Sequence, residues 1–172
     1  NVIVGPAPVG IDGGPDVQIR DNYVRGCVDG ISVSCDQNAG LSGNIVEDCS
    51  GTGYKRTTDC GPGNYQASFN LVIGNVARRC GGRGFDFRGN SGLVSGNVVE
   101  DVGAEGIFFS GLLDSLTNNI VLRTGGTEIS TSNVFYGVRG NRVLQAQGDG
   151  MVIGGGSDDV SGNVVGRCGG RG

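Results

Sequence analysis

The sequence predicts an all-β solenoid, a parallel β-helix of about seven coils of 22 residues with three short strands in each. Three observations predict it. Asn recurs at Asn22, Asn44, Asn75, Asn97, Asn119, Asn141 and Asn163, and every interval is 22 residues except the second, which is 31. Apolar columns keep the same phase: Ile19, Leu41, Val72, Val94, Leu116, Val138 and Val160 before the Asn, and Val24, Val46, Ala77, Val99, Val121, Val143 and Val165 after it. Short β-branched runs are punctuated by Gly and Asn, and no window sustains the 3.6-residue apolar period of an amphipathic helix.

Each element of the coil follows from these columns. The aliphatic residue three positions before the Asn marks one strand, and the Val or Ala two positions after it marks the next. A usually Gly-rich turn such as Gly82-Arg83-Gly84 then leads to a third, opened by Ile31, Tyr54, Phe85, Ile107, Ile129 and Met151. Coils stacked about 4.8 Å apart place equal positions above one another in parallel sheets, so the apolar columns become the core. The Asn tolerates the left-handed backbone that a sharp bend needs. Five of the seven residues before it are Gly (Gly43, Gly74, Gly96, Gly140 and Gly162), which sets a bend there. Stacked carboxamides can accept from one neighbour and donate to the other, so the column is expected to be a structural Asn ladder that satisfies its own buried polar groups.

Motifs such as Ser95-Gly96-Asn97-Val98-Val99 followed by Gly106-Ile107 resemble the repeats of the pectate-lyase-like right-handed parallel β-helix superfamily, over roughly residues 9 to 172. The resemblance is specific to fold. It implies a connection to polysaccharides without naming a reaction, because the superfamily holds lyases, polygalacturonases, uronate epimerases, tailspikes and adhesins. The epimerase and polygalacturonase motifs require His, and this chain has none. Asp158-Asp159 is an acidic pair without those companions.

Where the superfamily binds polysaccharide, along the outer face of one sheet, Phe85 and Phe87 should point inward and Asp86 and Arg88 outward. A nine-residue insertion is placed within about 55–64, so Lys55, Arg56 and Asp59 should lean over that pair, with Arg83 and Glu105 on the adjoining turn. The resemblance makes Lys55, Arg56 and Arg88 the candidate catalytic cations of a uronate lyase, stabilising the enolate and taking the C5 proton. Arg83, Asp59 and the outward Phe108 are candidate substrate contacts. Asp86 is the candidate ligand if calcium takes part, and no other cofactor is implied. Gly81–Arg88 is similar to a calcium-binding nonapeptide, but Arg88 stands where a large apolar residue is required. The alternative from a different class is a non-enzymatic shaft, stalk or filament component, which regular coils and a single insertion also suit.

Of the six cysteines, Cys27, Cys49, Cys80 and Cys168 share one column five residues after the ladder Asn, where the other coils carry Val102, Thr124 and Ala146. They read as small core residues, with disulfide or metal as the alternative. Cys35 and Cys60 lie off that column, in neighbouring coils. They are expected to form a disulfide across the insertion, with two unpaired thiols as the alternative. A bridge favours an extracellular or periplasmic setting.

The formal net charge of -4 gives no basic footprint for nucleic acid, and no apolar run reaches the length of a membrane span. The chain reads as one β-helix domain over 1–172, or as a segment of a longer one. It starts at Asn1 without Met, as processed chains do, and Arg167–Gly172 stops in mid-coil. An open last coil is expected to self-associate through its edge or to continue in a parent protein.

Overall fold

The structure, a computed structural model, describes residues 1–14, 16–34, 39–57 and 68–172. Among them every strand pairing is parallel, and on one face consecutive coils pair in unbroken register. Eight strands stack in chain order on one face: Val2–Val4, Tyr23–Arg25, Ile45–Glu47, Val76–Arg78, Val98–Val102, Ile120–Thr124, Arg142–Leu144 and Val164–Gly166. A second face carries Val9–Gly13, Asp29–Ser34, Tyr54–Thr57 and Phe85–Arg88. A third carries Gln18–Arg20, Ala39–Ser42, Ser68–Ile73 and Asn90–Ser95. Three short strands per coil are therefore observed up to residue 95. In the next two coils the second and third faces merge, because Ile107–Thr117 and Ile129–Arg139 each run through the corner as 11-residue strands. The corner survives as register shifts between Phe109 and Leu112 and between Leu113 and Ser115.

The apolar columns form the core. Val24, Val46, Ala77, Val99, Val121 and Val143 are fully enclosed, as are Ile31, Tyr54, Ile107 and Ile129. Tyr54 and Phe85 stack with centroids 4.5 Å apart and 4° between planes. Phe85 meets Phe87 edge-on at 5.5 Å, and Phe87 meets Phe109 at 6.1 Å. The Tyr54 hydroxyl lies 2.7 Å from the Asn44 carbonyl, so this large ring is buried with its polar tip matched.

The Asn ladder is present and does more than the sequence indicates. From Asn44 to Asn163 each carboxamide oxygen accepts twice from the preceding rung: Asn97 Oδ1 takes the Asn75 backbone N–H at 2.9 Å and Asn75 Nδ2 at 3.1 Å. Over the same rungs each Nδ2 also donates to a backbone carbonyl of the aliphatic column, as Asn97 does to Val72 at 2.8 Å, whereas Asn22 donates to Arg20 O. Asn1 Nδ2 donates to Asn22 Oδ1 at 2.9 Å, an additional rung outside the 22-residue count. The left-handed backbone falls on the residue before each Asn rather than on the Asn. Asp21, Gly43, Gly74, Gly96, Asn118, Gly140 and Gly162 have φ between 54° and 64°. A second left-handed column stands four residues after the Asn. It comprises Gly26, Asp48, Arg79, Asp101, Arg123, Gln145 and Arg167, with φ between 52° and 75°. Six of these carry side chains in a conformation that costs roughly 1–2 kcal/mol for an ordinary L-residue, so the coil geometry is imposed by stacking rather than by local preference.

Cys27, Cys49 and Cys80 are buried thiols and Cys168 is partly covered, and all four are free. The thiols point at backbone carbonyls, Cys27 at Gly5 O at 3.4 Å and Cys49 at Glu47 O at 3.7 Å. Cys35 and Cys60, with the disulfide expected between them, lie outside the described residues, as does Asp59. The insertion begins later than the sequence implied. Lys55, Arg56 and Thr57 pair with Ser32, Val33 and Ser34 as ordinary strand, so the extra residues follow Thr57.

Candidate functional site

Alternation along the second face decides which side chains face outward. Ile31, Tyr54, Phe85, Ile107 and Ile129 point in, as do Val33, Phe87 and Phe109 two residues on, all of them buried. The column between them is Ser32, Lys55, Asp86, Phe108, Ser130 and Val152, in register across six coils. Lys55, Asp86 and Phe108 are thus register neighbours in the outward column, Lys55 and Phe108 partly exposed and Asp86 buried at 9% exposure.

Arg56 is a correction. It stands in the inward column beside Val33, is 1% exposed, and donates through Nη1 to the Asn90 carbonyl at 3.0 Å. Tyr54 points in and Lys55 out, so Arg56 must point in again. It cannot lean over Asp86 from a loop.

The remaining cations are engaged with carboxylates. Lys55 Nζ lies 3.0 Å from Asp29 Oδ2, while Asp29 Oδ1 accepts the Thr52 N–H at 2.9 Å. Arg83 grips Glu105 with two nitrogens, at 2.8 and 3.2 Å, and reaches Asp86 with a third at 2.9 Å. Its guanidinium carbon sits 4.1 Å above the Phe108 ring, so Phe108 is covered by a cation from its own scaffold. The pair with Arg83 holds the Glu105 carboxyl below the usual range and raises the guanidinium in turn. Arg88 Nε is 3.6 Å from Asp86 Oδ1, and its side chain is 55% exposed. Asp86 therefore lies between two guanidinium groups, whose positive charge opposes a calcium ion at that carboxylate. Among the described residues no three His, Cys, Asp or Glu side chains are grouped to hold a metal.

The same stitching runs along the eight-stranded face. Arg79 reaches back one coil to Asp48 at 2.5 Å and Glu47 at 2.8 Å, and Arg78 reaches Glu47 at 2.5 Å. Arg123 spans to Asp101 at 2.6 Å and also pairs with Glu100. Asp159 of the acidic pair is held by Arg139. Each exposed pair contributes little alone, but in sequence they tie successive coils together on the outside as the ladder does inside.

Sequence reasoning passed over two features. Phe135 and Tyr136 are exposed at 45% and 60% on the merged strand Ile129–Arg139, where no column signalled them. Glu128 is fully buried at a position that is Gly in the other coils. No described helix is long and apolar enough to cross a membrane.

A family model described as right-handed β-helix region matches residues 7–137, more than half of the chain. No curated protein and no solved structure matches it significantly. With its parallel coils, continuous Asn ladder and this match, the chain belongs to the right-handed β-helix family.

Proposed function

We propose that this chain is a non-enzymatic structural β-helix, a shaft or stalk whose coils are fastened inside by amides and outside by ion pairs. The observation that carries the reading is the engagement of two of the three candidate catalytic cations, Lys55 and Arg56, and of the candidate substrate contact Arg83, which leaves Arg88 as the exposed one. Lys55 is bound to Asp29, Arg83 to Glu105 and Asp86, and Arg56 is enclosed in the core. A lyase base must reach a substrate proton and release it, and a buried or doubly paired cation is poorly placed for that. Mixing the protein with uronate polymers, with and without calcium, is expected to give no rise in absorbance near 235 nm (roughly the wavelength of the double bond that elimination leaves). A rise abolished by Arg88→Ala would overturn the reading.

One observation favours a second reading, polysaccharide contact along the same face. Arg88 is the exposed member of the group, and it stands beside the outward column of Asp86 and Phe108. An acidic polymer retained by the wild type and released by Arg88→Ala, without turnover, would support contact without catalysis.

We further propose a setting outside the cytoplasm, where the Cys35–Cys60 bridge expected from the sequence would persist. Thiol titration of the denatured, unreduced protein from an oxidising host is expected to find four thiols among six cysteines, the four free ones. Six would remove the bridge and the argument for compartment with it.

A further inference from the structure

The turn before the second face carries Gly10, Gly30, Gly53, Gly84, Gly106 and Gly150 in six coils, and Glu128 in the remaining one. The glycines have a reason. A Cβ built at Gly106 would lie 2.2 Å from Val121 Cγ1 and 2.5 Å from the Glu128 carbonyl, and 3.2 Å from Thr124 Cγ2. Glu128 nevertheless occupies this corner with no exposure to solvent, and neither carboxylate oxygen has a hydrogen-bond partner.

The chain has made room for it. By the 22-residue register, Val143 and Ala146 are to Glu128 what Val121 and Thr124 are to Gly106. Ala146 is the smallest residue in a column otherwise made of Cys27, Cys49, Cys80, Val102, Thr124 and Cys168. The largest side chain in the Gly column thus coincides with the smallest in the column it faces.

No charge enters the corner with it. Val143, Ala146, Val121 and Thr124 do not ionise. The charged groups on the adjoining turns are engaged elsewhere: Arg123 with Asp101 and Glu100, Glu105 with Arg83, and Asp149 with Arg171. The nearest thiol in the facing column is Cys168, one coil beyond Ala146.

We infer that Glu128 makes its coil a proton-dependent joint, closed while the carboxyl is protonated inside and loosened at the 125–128 corner once the carboxylate forms. A neutral carboxyl can stay in an apolar corner, whereas an unpaired carboxylate there is strongly disfavoured. Burial pushes the group from its ordinary 4.5 up to about 7, and the Arg123 backbone amide, which lies near the carboxylate without hydrogen-bonding it, opposes only part of this. The sign follows from proton binding. Between those two values the opened coil has lost the proton that the closed coil keeps, so closure weakens as pH rises and levels off above about 7. The bonds at stake are Glu128 N–H to Asp149 O at 3.1 Å, Ile107 N–H to Glu128 O at 2.8 Å, and Ile129 N–H to Gly150 O at 3.0 Å.

Amide hydrogen exchange tests the joint. After correction for intrinsic rates, protection of Ile107, Glu128 and Ile129 is expected to fall about 30-fold from pH 5.5 to 8.5, the change that linkage gives for this shift. Protection of Val46, several coils away, should hold. Glu128→Gln, neutral and similar in size, should abolish the pH dependence. Should that variant fold poorly, Glu128→Gly restores the residue of the other coils and should do the same. Flat wild-type protection, an equal fall at Val46, or a Glu128 carboxyl that titrates in NMR near its ordinary value would each overturn the inference.

Discussion

Replacing Asn97 with Leu is expected to destabilise the protein by about 2–5 kcal/mol, from roughly 1–3 kcal/mol for each buried polar group left unmatched. Asn97 is fully buried in mid-ladder. Its oxygen is the acceptor for the Asn75 backbone N–H, and that donor would be left facing a methyl group. The Asn75 Nδ2 would keep the Leu41 and Ile73 carbonyls, and Asn119 Oδ1 would keep the Asn97 backbone N–H. Two further bonds, to the Val72 carbonyl and from Nδ2 to Asn119 Oδ1, would be lost outright. Asn163→Leu is the control. That rung is partly exposed, so water can replace what the amide supplied, and its cost should be less than half as large in the same urea titration. Equal costs at both positions would show that the loss comes from introducing Leu into the column rather than from orphaned donors.

Phe87→Ala should cost about 3–5 kcal/mol, the range for removing a wholly enclosed aromatic ring. Phe87 is 0% exposed and meets edge-on both Phe85, two residues back on its own strand, and Phe109, its partner in the next coil. Phe85 is fixed on the same strand, and Phe109 on a stacked strand whose spacing is set by backbone hydrogen bonds, so they cannot close over the cavity. Phe108→Ala, one coil on but outward, should cost about 1 kcal/mol or less, because it loses mainly a partly exposed contact with Arg83. A thermal melt of the pair would separate inward from outward positions. Similar losses would mean that the alternation assigned to this face is wrong.

The architecture was legible because stacking turns a contact into a repetition. Ile19, Leu41 and Val72 occupy equivalent sites, so their period speaks for the core without any knowledge of the contacts. Features that depend on the backbone left no such trace. The left-handed corner holding Asp48, Arg79, Asp101 and Arg123 is occupied by residues with no strong preference for that conformation, and composition does not announce it. Nor does a column of Asn reveal that the oxygens from Asn44 to Asn163 also receive a backbone N–H. An insertion counted from residue 55 turns Arg56 outward, whereas alternation from Tyr54 points it inward. Glu128 was visible as the exception among six glycines, but an exception gains meaning only once its burial is known. The candidate site was legible as a neighbourhood and not as chemistry. Lys55, Asp86, Arg88 and Phe108 do share a face, but spacing along a chain does not reveal that Arg83 and Asp29 already hold their partners there.

Every ladder oxygen points back toward Asn1, and every Nδ2 bonded to the next rung points toward Asn163. The carboxamides therefore form a queue of like-oriented dipoles, each about the size of a peptide dipole, roughly 3.5 D. The solenoid acquires an electrical axis with its negative pole toward Asn1 and its positive pole toward Asn163, the reverse of the sense in an α-helix. One amide turned end for end would set oxygen against oxygen on one side and N–H against N–H on the other. Orientation is thus copied from each coil to the next, and the column passes direction along the rod as well as cohesion.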